Sequence, residues 1–285
     1  MINKIKSIYK LTRFDHAILI MIAVVIGETL TLGKPPALDW KLIVSLCAPA
    51  FVEMGAFALN DYLDRESDRI NKRYDRPLVT GEISEETAVR VTFVSFFLAI
   101  TVAALLPDPA MWTVWLFAFF SLLYDVKLKD IPLCGNIFIG TSMGIPFIFG
   151  NLVYTNRILQ VNVILFVIAL TIGVAREITK SIEDMEGDVK ARGSKTLPVI
   201  IGKEKSILTV KLLTFIFVPL SVYPFLTVMK IGILSGMMLA TAETLIIFST
   251  VRLRPDKKSL KQYRKLSLIG MLTGVIAMLL TLVNL

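Results

Sequence analysis

The chain has 285 residues, of which 55% are apolar and 19% charged, with a net charge of +8 and a mean hydropathy of +0.69. Soluble domains of this size carry about 25% charge and less apolar weight, so a multi-span membrane protein is indicated. A disordered chain, a collagen-like chain and a disulfide scaffold are excluded. With one histidine, His16, a bis-His haem is impossible within the chain, and a Ser-His-Asp mechanism would have to use that residue. Neither Cys47 nor Cys134 implies a disulfide.

About 20 apolar residues cross a bilayer core. On that criterion the chain predicts nine spans: 14–33, 41–60, 89–106, 109–124, 133–153, 160–179, 206–229, 231–251 and 266–285. Pro and Gly mark the joints, as in Lys34-Pro35-Pro36 and Leu106-Pro107-Asp108-Pro109. The N-terminus is basic, but no small-residue cleavage site follows the first apolar run, so no cleavable signal peptide is expected. The N-terminal segment and the connections after spans two, four, six and eight hold 27 of the 31 Lys and Arg residues; the other side has Lys34, Lys41, Arg157 and Lys230. The positive-inside rule then puts the N-terminus in the cytoplasm and the C-terminus outside, in the cell membrane. The basic charge is explained by topology, and no nucleic-acid partner is expected. Two inner connections, 61–88 and 180–205, are long and rich in charge of both signs, so function is expected there.

The first connection opens Asn60-Asp61-Tyr62-Leu63-Asp64-Arg65-Glu66-Ser67-Asp68-Arg69 and runs through Asn71, Lys72 and Arg73 to Arg76-Pro77-Leu78. If span two continues as a helix, Asn60, Asp61, Asp64 and Asp68 share one face. Stacked carboxylates repel and need a positive counterpart, and oxygen-only ligands favour Mg²⁺. The second motif runs from Arg176 to Asp188, with Asp184 and Asp188 four apart, Glu177 two turns earlier and Gly187 placed to end or bend the helix. Segments 60–76 and 176–195 each carry five acids and five bases. Carboxylates for a metal interleaved with cations for phosphate suit a magnesium–diphosphate site. A single mixed-charge helix extension is more often a solvated face. Two of them, each at the inner end of an even-numbered span, argue against chance and suggest an internal duplication, about 1–130 and 131–265 with a ninth helix added, inside one domain spanning 1–285.

Asn-Asp-x-x-Asp-x-x-x-Asp at 60–68, Asp184-x-x-x-Asp188, the Arg-Pro-Leu at 76–78 and Gly193-Ser194-Lys195-Thr196-Leu197-Pro198 resemble the signatures of the UbiA-type intramembrane prenyltransferases. The run Arg76-Pro77-Leu78-Val79-Thr80-Gly81 looks most like the family's archaeal, ether-lipid branch. Ser181 stands where many relatives carry another Asp, and Arg13-Phe14-Asp15-His16 replaces a more usual Arg-Pro-x-Asn.

The resemblance implies an all-α, multi-pass bundle of nine helices around a central cavity, capped by two Asp-rich cytosolic loops. It implies Mg²⁺-dependent transfer of a prenyl group from an allylic diphosphate, geranylgeranyl diphosphate, to a membrane-lipid acceptor, geranylgeranylglyceryl phosphate. Asn60, Asp61, Asp64, Asp68, Asp184 and Asp188 are then the metal ligands, and the five aspartates are catalytic together with Tyr124. Tyr124 would offer its hydroxyl to the diphosphate or its ring to an allylic cation; an interfacial belt tyrosine is the alternative. Lys127, Lys129, Arg73 and Lys180 are expected on the diphosphate. Arg13, Arg69, Arg76 and the 252–265 cluster could hold an acceptor phosphate, and Glu53 would order the site or act as a base. Glu28 reads as structural, Glu243 as either structural or functional, and His16 as an interfacial hydrogen-bonding group or a base. An aromatic acceptor of the 4-hydroxybenzoate type is the second reading, and a cation-coupled transporter is the rival from another class.

Overall fold

Each predicted apolar stretch becomes a helix; most ends move by a few residues, but the sixth helix runs about 13 residues past its predicted span and the last begins about nine residues early. The computed structural model describes residues 2–282, the side chains of residues 2 and 3 excepted. In chain order the helices are α1 (Ile2–Thr12), α2 (Phe14–Leu32), α3 (Trp40–Leu63), α4 (Arg65–Ile70), α5 (Pro77–Thr80), α6 (Glu85–Ala103), α7 (Asp108–Val126), α8 (Cys134–Leu152), α9 (Gln160–Arg192), α10 (Leu197–Ile201), α11 (Lys203–Thr227), α12 (Ile233–Val251) and α13 (Lys257–Leu282). Among the described residues there is no strand. Eight of these helices are long and apolar enough to cross a membrane: α2, α3, α6, α7, α9, α11, α12 and α13. The remaining predicted span is α8, which has 19 residues without a charge but carries Gly135, Gly140, Gly144, Gly150, Asn136 and Asn151, which dilute its hydropathy. The last three residues of the predicted ninth span lie outside the described residues.

Helix ends follow local chemistry. Asp39 caps α3 by accepting from the Leu42 amide at 3.1 Å, and Ser84 caps α6 by accepting from the Thr87 amide at 3.3 Å. Gly193, at φ 65°, ends α9 in the left-handed conformation. Arg13 takes φ 44° between α1 and α2, an uncommon geometry for a side chain larger than Asn. It aims its guanidinium inward, 4.0 Å from the centroid of the Phe57 ring.

The buried side chains form two lobes. One joins Val44, Ala48 and Val52 of α3 to Phe96 and Ala99 of α6 and Ala110 and Val114 of α7. The other joins Leu165, Ile168 and Ile172 of α9 to Phe217 of α11, Ile246 of α12 and Met278 of α13. Helices α2 and α8 stand between and feed both: Val24 and Phe149 pack into the first, Ile26 and Phe147 into the second. Helix α8 approaches α9 backbone to backbone. A Cβ on Gly144 would lie 2.6 Å from the Phe166 carbonyl oxygen, which is why a small residue is required. At the end remote from the acidic motifs, Asn162 of α9 donates to Thr31 of α2 and to Asn151 of α8, both at 2.9 Å. The outward faces are apolar: Phe93, Phe215 and Leu226 are each more than 70% exposed, as lipid-facing residues are.

The second acidic motif is not on a loop. Helix α9 continues through it for 33 residues. At 1.5 Å per residue that is about 50 Å, against about 30 Å of hydrocarbon, so its last turns project beyond the membrane. Gly187 does not end the helix, which is capped at Gly193. It lets α9 come against Asn71, whose side-chain atoms would lie 2.2–2.4 Å from a Cβ at 187.

Candidate active site

Helix α3 breaks at Asp64, but its hydrogen-bond ladder carries on: the Asp64 amide bonds to the Asn60 carbonyl at 2.8 Å and the Asp68 amide to the Asp64 carbonyl at 2.7 Å. Asn60, Asp64 and Asp68 therefore do share a face, and that face looks across a cleft at Asp184 and Asp188 of α9. The cleft is also lined by Ser67, Asn71, Arg73, Arg76, Tyr124, Lys129, Glu177, Lys180, Ser181, Arg192 and Thr196. Contacts tie its walls directly. Ser67 donates to Asp188 at 2.5 Å, the Asn71 amide donates to the Asp184 carbonyl at 3.4 Å, and Arg192 pairs with Asp64.

Asp61 departs from the predicted common face. It is 1% exposed, turned toward α1 and the loop after α4, and absent from the cleft lining. Both Arg13 and Arg76 donate to its Oδ1 at 2.9 Å. Its position follows from the helical period: one residue after Asn60 means about 100° of rotation.

Of the predicted phosphate contacts, Lys129, Arg73 and Lys180 line the cleft, and Lys127 does not. Lys127 is exposed at the end of α7, whereas Lys129 lies in a short 3₁₀ turn, Leu128–Asp130, and reaches Asp64 at 2.6 Å. Tyr124 is buried, stacks on Phe138 at 5.2 Å between centroids and donates to Glu177 at 3.4 Å. A lipid-facing belt position is thereby excluded. Glu53 is half-buried in α3 and outside the cleft.

Three contributors go beyond the predicted set. Asp125, 3% exposed, accepts from Asn60 at 2.8 Å and faces Lys129 at 3.8 Å, fixing the Asn60 amide from behind. Arg192 binds Asp64, Asp188 and Asp130. Glu177 links Tyr124 to Lys180, which lies 3.4 Å away. The signal available for Asp125 was its place four residues before Lys129.

The electrostatics are balanced. Asp64, Asp68, Glu177, Asp184 and Asp188 face Arg73, Arg76, Lys129, Lys180 and Arg192, five acids against five bases. Burial, and then the Asp64 carboxylate, push the Asp68 carboxyl up to about 6. Among the described residues no three His, Cys, Asp or Glu side chains converge on one point. Each cleft aspartate instead meets a cation: Asp64 meets Lys129, Asp68 meets Arg76 at 3.7 Å, Asp184 meets Arg73 at 3.9 Å and Asp188 meets Arg192 at 3.2 Å. The donor set still fits magnesium. It is oxygen-only, and Mg²⁺ is held through one or two carboxylates plus substrate phosphates rather than by a full protein cage.

The sequence matches the UbiA prenyltransferase family over residues 20–269. The chain belongs to that family. UbiA relatives include the digeranylgeranylglyceryl phosphate synthase of Archaeoglobus fulgidus, 32% identical across 95% of this chain and 94% of the relative. The protein of the same name from Methanobrevibacter smithii is 32% identical across 94% and 95%. A solved structure described as digeranylgeranylglyceryl phosphate synthase in membranes superposes with a TM-score of 0.74 at 29% identity, covering 99% of both chains. A UbiA homolog from Archaeoglobus fulgidus, solved with DMAPP and Mg²⁺, shares the fold at a TM-score of 0.66 and 22% identity, over 95% of this chain and 99% of that one.

Proposed function

We propose that the chain transfers a prenyl group from geranylgeranyl diphosphate to the free hydroxyl of geranylgeranylglyceryl phosphate and releases diphosphate, with Mg²⁺, inside the membrane. The observation that carries this reading is the pairing of Asn60, Asp64 and Asp68 with Asp184 and Asp188 across one charge-balanced cleft. It stands in a chain that matches enzymes of that name over nearly its whole length.

The cleft's neutrality has a chemical consequence. A diphosphate alone would bring several negative charges to a wall with none to spare, so donor and metal enter together. Asn60, Asp64, Asp68, Asp184 and Asp188 would hold the ions; Asp61 instead holds Arg13 and Arg76 in place. Magnesium, when bound, supplies the Lewis acidity that makes diphosphate a leaving group. Lys129, Lys180, Arg73 and Arg192 then face the diphosphate oxygens and stabilise the charge that builds as the allylic C–O bond breaks. Its electron pair leaves with diphosphate, a new C–O bond forms to the acceptor oxygen, and the hydroxyl proton passes to the departing diphosphate. Tyr124 sits at the apolar edge, its ring stacked on Phe138, where it shields the reacting carbon from water. The N-terminus is assigned to the cytoplasm and the C-terminus to the outside, supported by the 27 basic residues at the cleft end of the bundle.

Purified protein given geranylgeranyl diphosphate, Mg²⁺ and a choice of geranylgeranylglyceryl phosphate or 4-hydroxybenzoate should make the diether phosphate, detected by mass spectrometry, and should stop on addition of EDTA. A prenylated aromatic as sole product would move the function to quinone synthesis.

A further inference from the structure

A second cleft of about 550 Å³ adjoins the first, sharing Asn71, Arg73 and Asp184 as a common wall. Its lining has seven Lys or Arg residues and three acids. The acids are already matched: Glu183 to Arg264 at 2.6 Å, Asp75 to Arg73 at 3.2 Å, and Asp184 to Arg73 at 3.9 Å. That leaves Lys72, Arg176, Lys257, Lys261 and Lys265 without an ion-pair partner among the described residues, the last four on the α9–α13 side of the cleft. Arg176 is half-buried, and its guanidinium is fixed by α13 alone, donating to the Arg264 carbonyl and the Ser267 hydroxyl at 2.6 Å each. Both acceptors are neutral, so its charge is oriented without an ion pair. Lys257, Lys261 and Lys265 stand at i, i+4 and i+8 on one face of α13 and repel one another. Leu268, the next residue on that face, lies where α13 turns apolar and is the one aliphatic side chain in the lining.

We infer that this cleft is the acceptor's subsite: Arg176 with Lys257, Lys261 and Lys265 binds the phosphate of a lipid phosphate monoester, whose chain leaves past Leu268 along α13. The inference rests on the transfer reaction proposed above. It also takes the acceptor phosphate away from Arg13 and Arg76, whose charges are both engaged by Asp61. A phosphate here lies one wall from the donor cleft, which brings the attached glycerol hydroxyl toward the allylic carbon without mixing the two phosphate sites. Anionic membrane lipid is the other source of the same headgroup chemistry, and the assay medium separates the two.

The test is steady-state kinetics in neutral detergent, free of anionic lipid, on the wild type, on the triple variant Lys257→Gln/Lys261→Gln/Lys265→Gln and on Arg176→Gln with Arg176→Lys as its charge-retaining partner. The triple variant should raise the KM for geranylgeranylglyceryl phosphate by about tenfold, equivalent to ~1.4 kcal/mol, and hold the KM for geranylgeranyl diphosphate within about twofold. Arg176→Gln should do the same, with partial recovery in Arg176→Lys. An unchanged acceptor KM in an active triple variant overturns the assignment and leaves the lysines as a collector of bulk anionic lipid. A parallel rise in both KM values overturns it too. Wild-type protein that makes no diether at all removes the functional reading and this subsite together.

Discussion

Asp61 and Asp64 are three residues apart in one acidic motif and are placed for different work. Asp61 is sealed between two guanidinium groups, whereas Asp64 faces the cleft with Lys129 and Arg192. Removing one partner of a buried ion pair costs ~3–5 kcal/mol because charge is left uncompensated. Asp61→Ala should therefore lower the thermal midpoint as well as turnover, while Asp64→Asn should abolish turnover with a smaller fall in midpoint, since Lys129 keeps Asp125 and Arg192 keeps Asp130 and Asp188. An Asp61→Ala protein of normal stability that has lost only its magnesium response would make Asp61 a ligand instead. The two lysines after Tyr124 separate the same way. Lys129→Ala should cut kcat/KM for the donor by about a hundredfold, the scale of losing one preorganised charge contact, and Lys127→Ala should leave it within about twofold. At this scale most of the cleft could be read from residue type and spacing: Asn60, Asp64, Asp68, Asp184, Asp188, Arg73 and Lys180 all line it. Asp61 could not, because a face inferred from i, i+3 and i+4 spacing is broad enough to include a residue turned 100° away. Asp125 could not either, since its role is to hold Asn60 from behind the wall.

Spans are legible where hydropathy alone decides them and fade where charge begins. The sixth span was expected to leave the membrane near residue 179 and its helix to end or bend near Gly187; α9 runs to Arg192, because its projecting turns contain the acids and bases that hydropathy reads as loop. Helix α8 was legible as a span, but its glycines say more than its hydropathy: they mark the helix that others approach closely. The contact at Gly144 gives a test. A methyl group there would lie 2.6 Å from the Phe166 carbonyl oxygen, whereas at Gly274 of α13 the nearest atom is the Ala242 Cβ at 3.9 Å. Gly144→Ala should destabilise by about 1–3 kcal/mol through overpacking. Gly274→Ala should be neutral or stabilising by up to ~1 kcal/mol, the helix-propensity gain of Ala over Gly. Thermal unfolding of both variants in the same detergent decides it, and equal midpoints would mean that α8 and α9 can separate without cost.

Over the whole molecule, both clefts open at the end of the bundle where the basic residues gather. Which side of the membrane that end faces is a question of charge distribution rather than of packing, since the same bundle would pack identically either way up. Attraction of Lys and Arg to the cytoplasmic side sets the orientation. The protein contains its own probe. Cys134 begins α8 at the cleft end and is exposed; Cys47 lies within α3 toward the opposite end, partly covered. A membrane-impermeant maleimide should label Cys134 in inside-out vesicles and not in intact right-side-out cells, with Cys134→Ser removing the signal. Labelling from the outside would invert the topology. It would also place both clefts on the face away from the cytoplasm, so a diphosphate donor made in the cytoplasm could reach its metal site only by first crossing the bilayer with its charge exposed to hydrocarbon, a cost of several kcal/mol per charge.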